Sequence, residues 1–220
     1  MSAAVKAYKG LGMEGLVAKW YAKNTAKSMN NFRSDARRVA ALLASGAKVL
    51  EVAPGPGYFS IELAKLGGYQ IVGLDISRTF VEIAQRNAKQ AGAAMEFRVG
   101  SASDMPFESG QFDFLFCRAA FKNFSEPVKA LQEMHRVLKP GGRALIVDLS
   151  RDAPLASIDG EVGQMGLGFL SALSTRLIFR FVLLKRAYAK SDFERLLAQA
   201  QFRSVEIAEH GIGLDIWLQK

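Results

Sequence analysis

The chain has 220 residues, half of them hydrophobic, with a single cysteine and a formal charge of +8. That is enough chain for one sizeable core, and one cysteine excludes an intramolecular disulfide framework and a cysteine-rich metal site. The charge is unevenly placed: residues 1–48 hold nine Lys/Arg against two acids, residues 49–150 eleven against eleven, and residues 151–220 nine against eight. A basic start beside a neutral middle points to an anionic partner, an anionic lipid surface, or plain solubility.

The opening stretch, MSAAVKAYKG, is polar and basic and has no apolar run of the signal-peptide kind, which predicts a cytoplasmic chain. Residues 12–28 and 32–45 read as helices, the second starting at Ser34. AKVLEVA is the first strand, YFSIELAKL its helix, and YQIVGLD the second strand. Ser77 is placed to cap RTFVEIAQRNAKQAG, which stops at Gly92. MEFRVG and QFDFLFCR are strands three and four. EPVKALQEMHRVL is a helix ending at Pro140-Gly141-Gly142, and RALIVDL is strand five. A helical stretch near 159–187 and the helix KSDFERLLAQAQ follow. FRSVEIAEH and GLDIWLQK close the chain as two strands paired antiparallel through Gly211. Within 167–184 two arginines and several hydroxyl side chains argue against a membrane span. Phe169, Leu173, Leu177, Phe181 and Leu184 recur there at helical spacing, as on an amphipathic helix.

Strands alternating with helices predict an α/β sandwich, a Rossmann-like fold with a seven-stranded, mostly parallel sheet, an antiparallel last pair and a helical cap. Ligands of such sheets bind beyond the carboxyl ends of the strands, at the switch point. That rule selects Ala53-Pro54-Gly55-Pro56-Gly57, a tight bend between strand one and its helix. A nucleoside triphosphate needs a Gly-Lys-Ser/Thr ending that this loop lacks. A dinucleotide needs a third glycine where Ser60 stands, and Glu51 just before the bend is a poor neighbour for pyrophosphate. A carboxylate there suits a ligand carrying an ammonium or sulfonium group. Asp75, ending strand two, can accept bonds from both ribose hydroxyls.

From residue 47 nearly to the end, the chain resembles class I S-adenosylmethionine-dependent methyltransferases. EVAPGPG is similar to their acidic glycine-rich loop and GLDIS to their ribose-binding acid. GSASDMPFESGQFDFLFC and EMHRVLKPGGRALIVD resemble their later segments. The resemblance implies S-adenosyl-L-methionine as cofactor and S-adenosyl-L-homocysteine as product. It puts Glu51, Ala53, Gly55 and Gly57 at the methionine end and Asp75 at the ribose. Ile76, Ala102 and Met105 would flank adenine, with Ser101 at its edge and Arg118 close by. Plain core is the alternative reading of Ile76 and Met105. Two positions depart from the family pattern. Ala53 replaces the first glycine, its methyl narrowing the methionine end, while Gly55 and Gly57 remain for positive φ. Ser101 replaces the acid that commonly holds the adenine amino group.

Phe121-Lys122-Asn123-Phe124 resembles a segment of the ubiquinone/menaquinone C-methyltransferases, within the type 11 methyltransferases. The stretch 16–24 resembles their N-terminal segment, with Ala22 in place of an aspartate. The implied activity is methyl transfer to O or C of a small, hydrophobic, aromatic or quinol-like acceptor. Tyr21, Arg118, Lys122 and Asn123 are the candidate catalytic residues. Arg118 or Lys122 would either lower an acceptor's pKa by charge or simply pair with a surface acid. His135 reads as a surface residue and His210 as a turn residue. With Cys117 they lack metal-ligand spacing, so no metal is expected. The expected organisation is a helical lid over 1–46, a cofactor-binding core over 47–150, an amphipathic cap over 151–189, and a closing helix and strand pair over 190–220. Peripheral contact with an anionic membrane is compatible with the basic cap. Two rival readings are a nucleic-acid methyltransferase, disfavoured by the Cys-Arg-Ala-Ala end of strand four, and a non-catalytic binder at the membrane surface.

Overall fold

Val49, Leu50, Glu51 and Val52 are all buried, so the first strand, β1 (Lys48–Val52), is covered on both faces. Successive side chains of a strand point to opposite faces, and here they meet different helices. Val49 joins Ala36, Val39, Phe59 and Leu63 on one side. Leu50 and Val52 join Leu131, Met134 and Phe193 on the other. A sheet sandwiched between two helical layers follows from that one pattern.

The computed structural model describes residues 8–9, 12–164, 173, 175–177 and 183–220. Helices α1 (Gly15–Thr25) and α2 (Met29–Ala40) precede β1. Then come α3 (Tyr58–Ala64), β2 (Gln70–Asp75), α4 (Arg78–Gln90), β3 (Glu96–Val99) and β4 (Phe112–Arg118). They are followed by α5 (Pro127–Val137), β5 (Leu138–Leu149), α6 (Leu155–Gln164) and α7 (Lys190–Leu197). The antiparallel pair β6 (Ser204–His210) and β7 (Gly213–Gln219) completes the chain. The sheet has seven strands in the order β3-β2-β1-β4-β5-β7-β6. β1 to β5 pair in parallel, and β7 runs antiparallel to β5. The expected Rossmann-like sheet with its antiparallel last pair is therefore what forms.

Local chemistry explains where the elements start and stop. Ser77 caps α4 by accepting the Phe80 N–H at 3.0 Å. Ser34 starts nothing, because a 3₁₀ turn at Ala26–Ser28 leads from α1 straight into α2, leaving Ser34 in the helix interior. Nor does Pro140-Gly141-Gly142 follow a helix end as a free loop. Helix α5 stops at Val137, and β5 begins at Leu138 and runs through the glycines. A Cβ at Gly142 would lie 2.9 Å from the Lys139 carbonyl oxygen, so only glycine lets that strand pass.

The N-terminal segment has two structural roles. α2 is built into the sandwich, with Ala36 and Val39 fully buried beside Phe59 and Phe116. α1 lies across α4, packing Ala18, Ala22 and Tyr21 on Phe80 and Ile83. The amphipathic pattern expected over 167–184, within the helical stretch near 159–187, falls largely outside the described residues. Within them, α6 starts at Leu155 and buries Ile158 and Val162 against Leu184.

Candidate active site

Parallel pairing brings the ends of β1, β2, β4 and β5 to one edge, at Val52, Asp75, Arg118 and Leu149. From β1 the chain builds outward through β2 and β3, then crosses back to β4 on the other side of β1. That reversal opens a crevice beyond the strand ends.

The bend after β1 lines this crevice. Its backbone takes positive φ at Ala53 (56°), Gly55 (53°) and Gly57 (77°). The sequence reading left positive φ to the two glycines, but Ala53 adopts it as well. A Cβ on Gly57 would come within 2.9 Å of the Phe97 ring and 3.1 Å of Ala84, so close packing of the loop against α4 and β3 requires glycine. A Cβ on Gly55 would meet nothing within 4 Å, so the backbone there is open to a ligand.

Two carboxyl groups sit under the loop. Glu51 is 3% exposed and accepts the Ser60 N–H at 3.2 Å and the Ser60 hydroxyl. Asp75 is 5% exposed and accepts the Gly55 N–H at 3.0 Å and the Ser77 N–H at 2.9 Å. Burial pushes Glu51 up to about 7 against its Ser60 hydrogen bonds, with the nearby Asp75 adding to the rise. Burial also pushes Asp75 up to about 6 against hydrogen bonds from Ser77 and Gly55.

The other buried acids among the described residues all have cations. Asp35 pairs with Arg118 and Arg38, Glu62 with Arg33 and Lys65, and Asp148 with Lys122. Asp192 pairs with Arg151 and Arg195, and Asp215 with Arg38 and His210. Glu51 and Asp75 are the two buried acids without one among the described residues. Burying a carboxylate without a counter-charge is costly, so this pair points to a cationic, hydroxyl-bearing guest.

The adenine-side candidates occupy differing environments. Ile76 is 43% exposed at the end of β2, whereas Met105 is 3% exposed and packs in the main core. Ala102 packs half-buried against that core. The Ser101 hydroxyl accepts the Ser103 N–H at 3.1 Å and so shapes its own turn.

Past β4, Ala119 has φ 55° and a 3₁₀ turn spans Phe121–Asn123. Lys122 is buried: its Nζ donates to Asp148 at 2.6 Å and to the Ala119 carbonyl at 2.7 Å. Asp148 also accepts the Lys122 N–H at 3.0 Å, so this ion pair fixes the turn. The Arg118 guanidinium donates to Asp35 and lies 5.8 Å from the Phe32 ring centroid, with a quarter of the side chain exposed. Both residues pair with an acid, but with the buried Asp35 and Asp148 rather than with a surface acid as the sequence suggested. Cys117 is fully buried, and burial raises its thiol pKa well above the ordinary value. His135 sits on α5, edge-on to Phe202 at 5.2 Å, and His210 ends β6 beside Asp215.

Several contributors were invisible in the sequence. Glu14 accepts the Arg78 and Thr79 N–H groups at 3.0 and 3.1 Å, capping α4 from another part of the chain. The Ser77 hydroxyl donates to the Met13 carbonyl at 2.6 Å, tying the start of α1 beside Asp75. Tyr8 pairs with Phe124 in an isolated β-bridge, and the Lys9 N–H donates to the Asn123 carbonyl at 2.8 Å. Burial and the neighbouring Tyr21 raise the Tyr8 phenol pKa against Arg186, and Asp75 raises it further. Tyr21, Arg186 and Asp75 therefore each lie within electrostatic reach of Tyr8. Nothing local in the sequence marks Tyr8, and Arg186 stands out only as one of several basic residues of the cap. Asp148 did carry a signal, as an acid inside the apolar run ALIVDL.

A family model described as a methyltransferase domain matches residues 50–146. A demethylmenaquinone methyltransferase of Staphylococcus carnosus is 33% identical over 175 residues, covering 74% of this chain and 70% of the relative. The chain belongs to the class I S-adenosylmethionine-dependent methyltransferases. A demethylmenaquinone methyltransferase of Lactococcus lactis is 29% identical over 77% of this chain and 71% of its own length. A solved S-adenosylmethionine-dependent methyltransferase from Aquifex aeolicus has a TM-score of 0.66 at 21% identity, covering 84% of this chain and 89% of that one, which bears on the fold alone. As a methyltransferase, the chain uses S-adenosyl-L-methionine. The crevice fits that cofactor: buried Asp75 and Glu51 lack counter-charges among the described residues, and the backbone at Gly55 is open. Among the described residues no cluster of His, Cys, Asp and Glu is arranged to hold a metal ion, and no helix is long and apolar enough to cross a membrane.

Proposed function

We propose that this methyltransferase acts on O or C of a small hydrophobic acceptor, aromatic or quinol-like. The observation that carries this reading is the surroundings of the half-buried Tyr8, which is bridged to Phe124 next to the turn after β4 and feels the charges of Tyr21, Arg186 and Asp75. Such surroundings offer aromatic faces to a flat acceptor and a cation to an oxygen that loses its proton. The names of the S. carnosus and L. lactis relatives support the same class.

S-adenosylmethionine, when bound, supplies a methyl group activated by its sulfonium, and chemistry of that kind leaves the protein to align and desolvate. Glu51, with Ala53, Gly55 and Gly57, holds the amino-acid end, and Asp75 accepts from the ribose hydroxyls. Ile76, Ala102 and Met105 bound the adenine space, and Ser101 lies at its edge. Arg118, fixed by Asp35 at the end of β4, is the cation offered to the cofactor or the acceptor. Lys122 acts indirectly, by holding the turn that carries Asn123. Tyr21 closes the site from α1.

The test is a set of turnovers with S-adenosylmethionine, detergent-dispersed quinols and simple phenols, read as S-adenosylhomocysteine formed and acceptor mass gained. Transfer to a reduced naphthoquinol or phenol is expected, with kcat lowered at least tenfold in Arg186→Ala. Tight homocysteine-product binding without transfer to any aromatic acceptor would overturn the reading.

A further inference from the structure

Helix α1 has two unlike faces. Ala18, Tyr21 and Ala22 turn inward onto Phe80 and Ile83. On the opposite side Leu16 is 82% exposed, Trp20 67% and Val17 49%. Leu16 and Trp20 are one helical turn apart, so they stand side by side, and both Lys19 and Lys23 on the same helix are exposed. Between Gly15 and Ser34 the sequence carries four basic residues and no acid. The acid just before the helix, Glu14, is engaged by the start of α4.

We infer that this face of α1 docks the protein on a bilayer surface containing anionic lipid, with Leu16 and Trp20 entering the interface and Lys19 and Lys23 meeting the headgroups. Exposed Leu beside an exposed Trp is the pairing that gains most from the boundary between water and acyl chains. Lysines gain from the negative surface potential of anionic lipid. Charge also selects this occupant over a second copy of the chain, because two such faces together would oppose lysine with lysine. α1 is pinned beside Asp75 through Met13 and Gly15, which bond Ser77 and Thr79 at 2.6 and 3.0 Å. The docked helix would therefore bring the rim of the crevice to the membrane surface. The inference rests on the helix alone and holds whatever the acceptor is.

Flotation of the full chain with vesicles of phosphatidylglycerol and phosphatidylcholine, or of phosphatidylcholine alone, tests it. Binding to the anionic vesicles that weakens with salt is expected. In a Trp217→Phe background, which leaves Trp20 as the sole tryptophan, emission should shift to the blue on vesicle addition. Leu16→Ser with Trp20→Ser, or Lys19→Glu with Lys23→Glu, should cut the bound fraction at least fivefold while S-adenosylhomocysteine binding stays unchanged. No flotation with either vesicle overturns the inference, as does flotation equal in wild type and both double variants. Concentration-dependent dimerisation lost in Trp20→Ser would assign the face to a second copy and overturn it too.

Discussion

Ala53 sits at φ 56°, where its methyl group crowds the backbone. Left-handed conformation costs an L-residue roughly 1–2 kcal/mol, offset in part by the greater unfolded-state freedom of glycine. Ala53→Gly is expected to raise stability by about 0.5–1 kcal/mol. For a domain of this size that is a rise in Tm of roughly 1–4 °C, read by thermal unfolding. The same loop covers Glu51 and Asp75, raised to about 7 and about 6. Because their folded pKa values lie above the unfolded ones, their contribution to the stability of the free protein is greatest in acid. It is lost as pH rises from the ordinary carboxylate range through about 7. A cationic guest reverses that sign, because it favours the ionised carboxylates that the free fold disfavours. Cofactor stabilisation should therefore grow with pH where the empty protein weakens.

At the scale of elements, the turn after β4 is held by a buried ion pair. Lys122 and Asp148 are both buried and 2.6 Å apart, and Asp148 also accepts the Lys122 N–H. Removing one partner leaves a buried charge alone, which costs about 3–5 kcal/mol. Lys122→Ala is expected to lower Tm by roughly 6–20 °C. Lys122→Met with Asp148→Leu, which removes both charges, should recover most of that loss. A Lys122→Ala protein that keeps its Tm but loses turnover would instead put the ammonium in contact with the acceptor. Arg118 is tied in a similar way, through Asp35 to Arg38 and on to Asp215 of β7. Position at the end of β4 thus depends on α2 and on the last strand, elements far apart in the chain.

For the whole molecule, what the sequence made legible was what local pattern controls. Buried runs such as VLEV, the Ser77 cap, the glycine bend and Asp75 at a strand end each announce themselves within a few residues. Together they disclosed the sheet, its direction and the loop and acids that the proposed cofactor site uses. The surroundings of the strand ends proposed to take the acceptor were less legible because distant segments assemble them: Tyr8 on Phe124, Glu14 on α4, Asp35 on Arg118. A lone acid in a basic stretch, such as Asp35 in SDARR, hints at a buried partner without naming it. Ser34 misled for the opposite reason, since its capping chemistry is sound but the preceding turn had already started the helix.

Calorimetric binding of S-adenosylhomocysteine at pH 5.5 and pH 8, beside NAD and ATP, for wild type and Asp75→Ala, tests the central claim most directly. Micromolar binding at pH 8 is expected for S-adenosylhomocysteine alone. It should weaken about tenfold or more at pH 5.5, where carboxyls titrating at about 7 and about 6 are mostly protonated, and fall at least tenfold in the variant. Binding that is equal at both pH values and unchanged in Asp75→Ala, or preference for NAD or ATP, would contradict it.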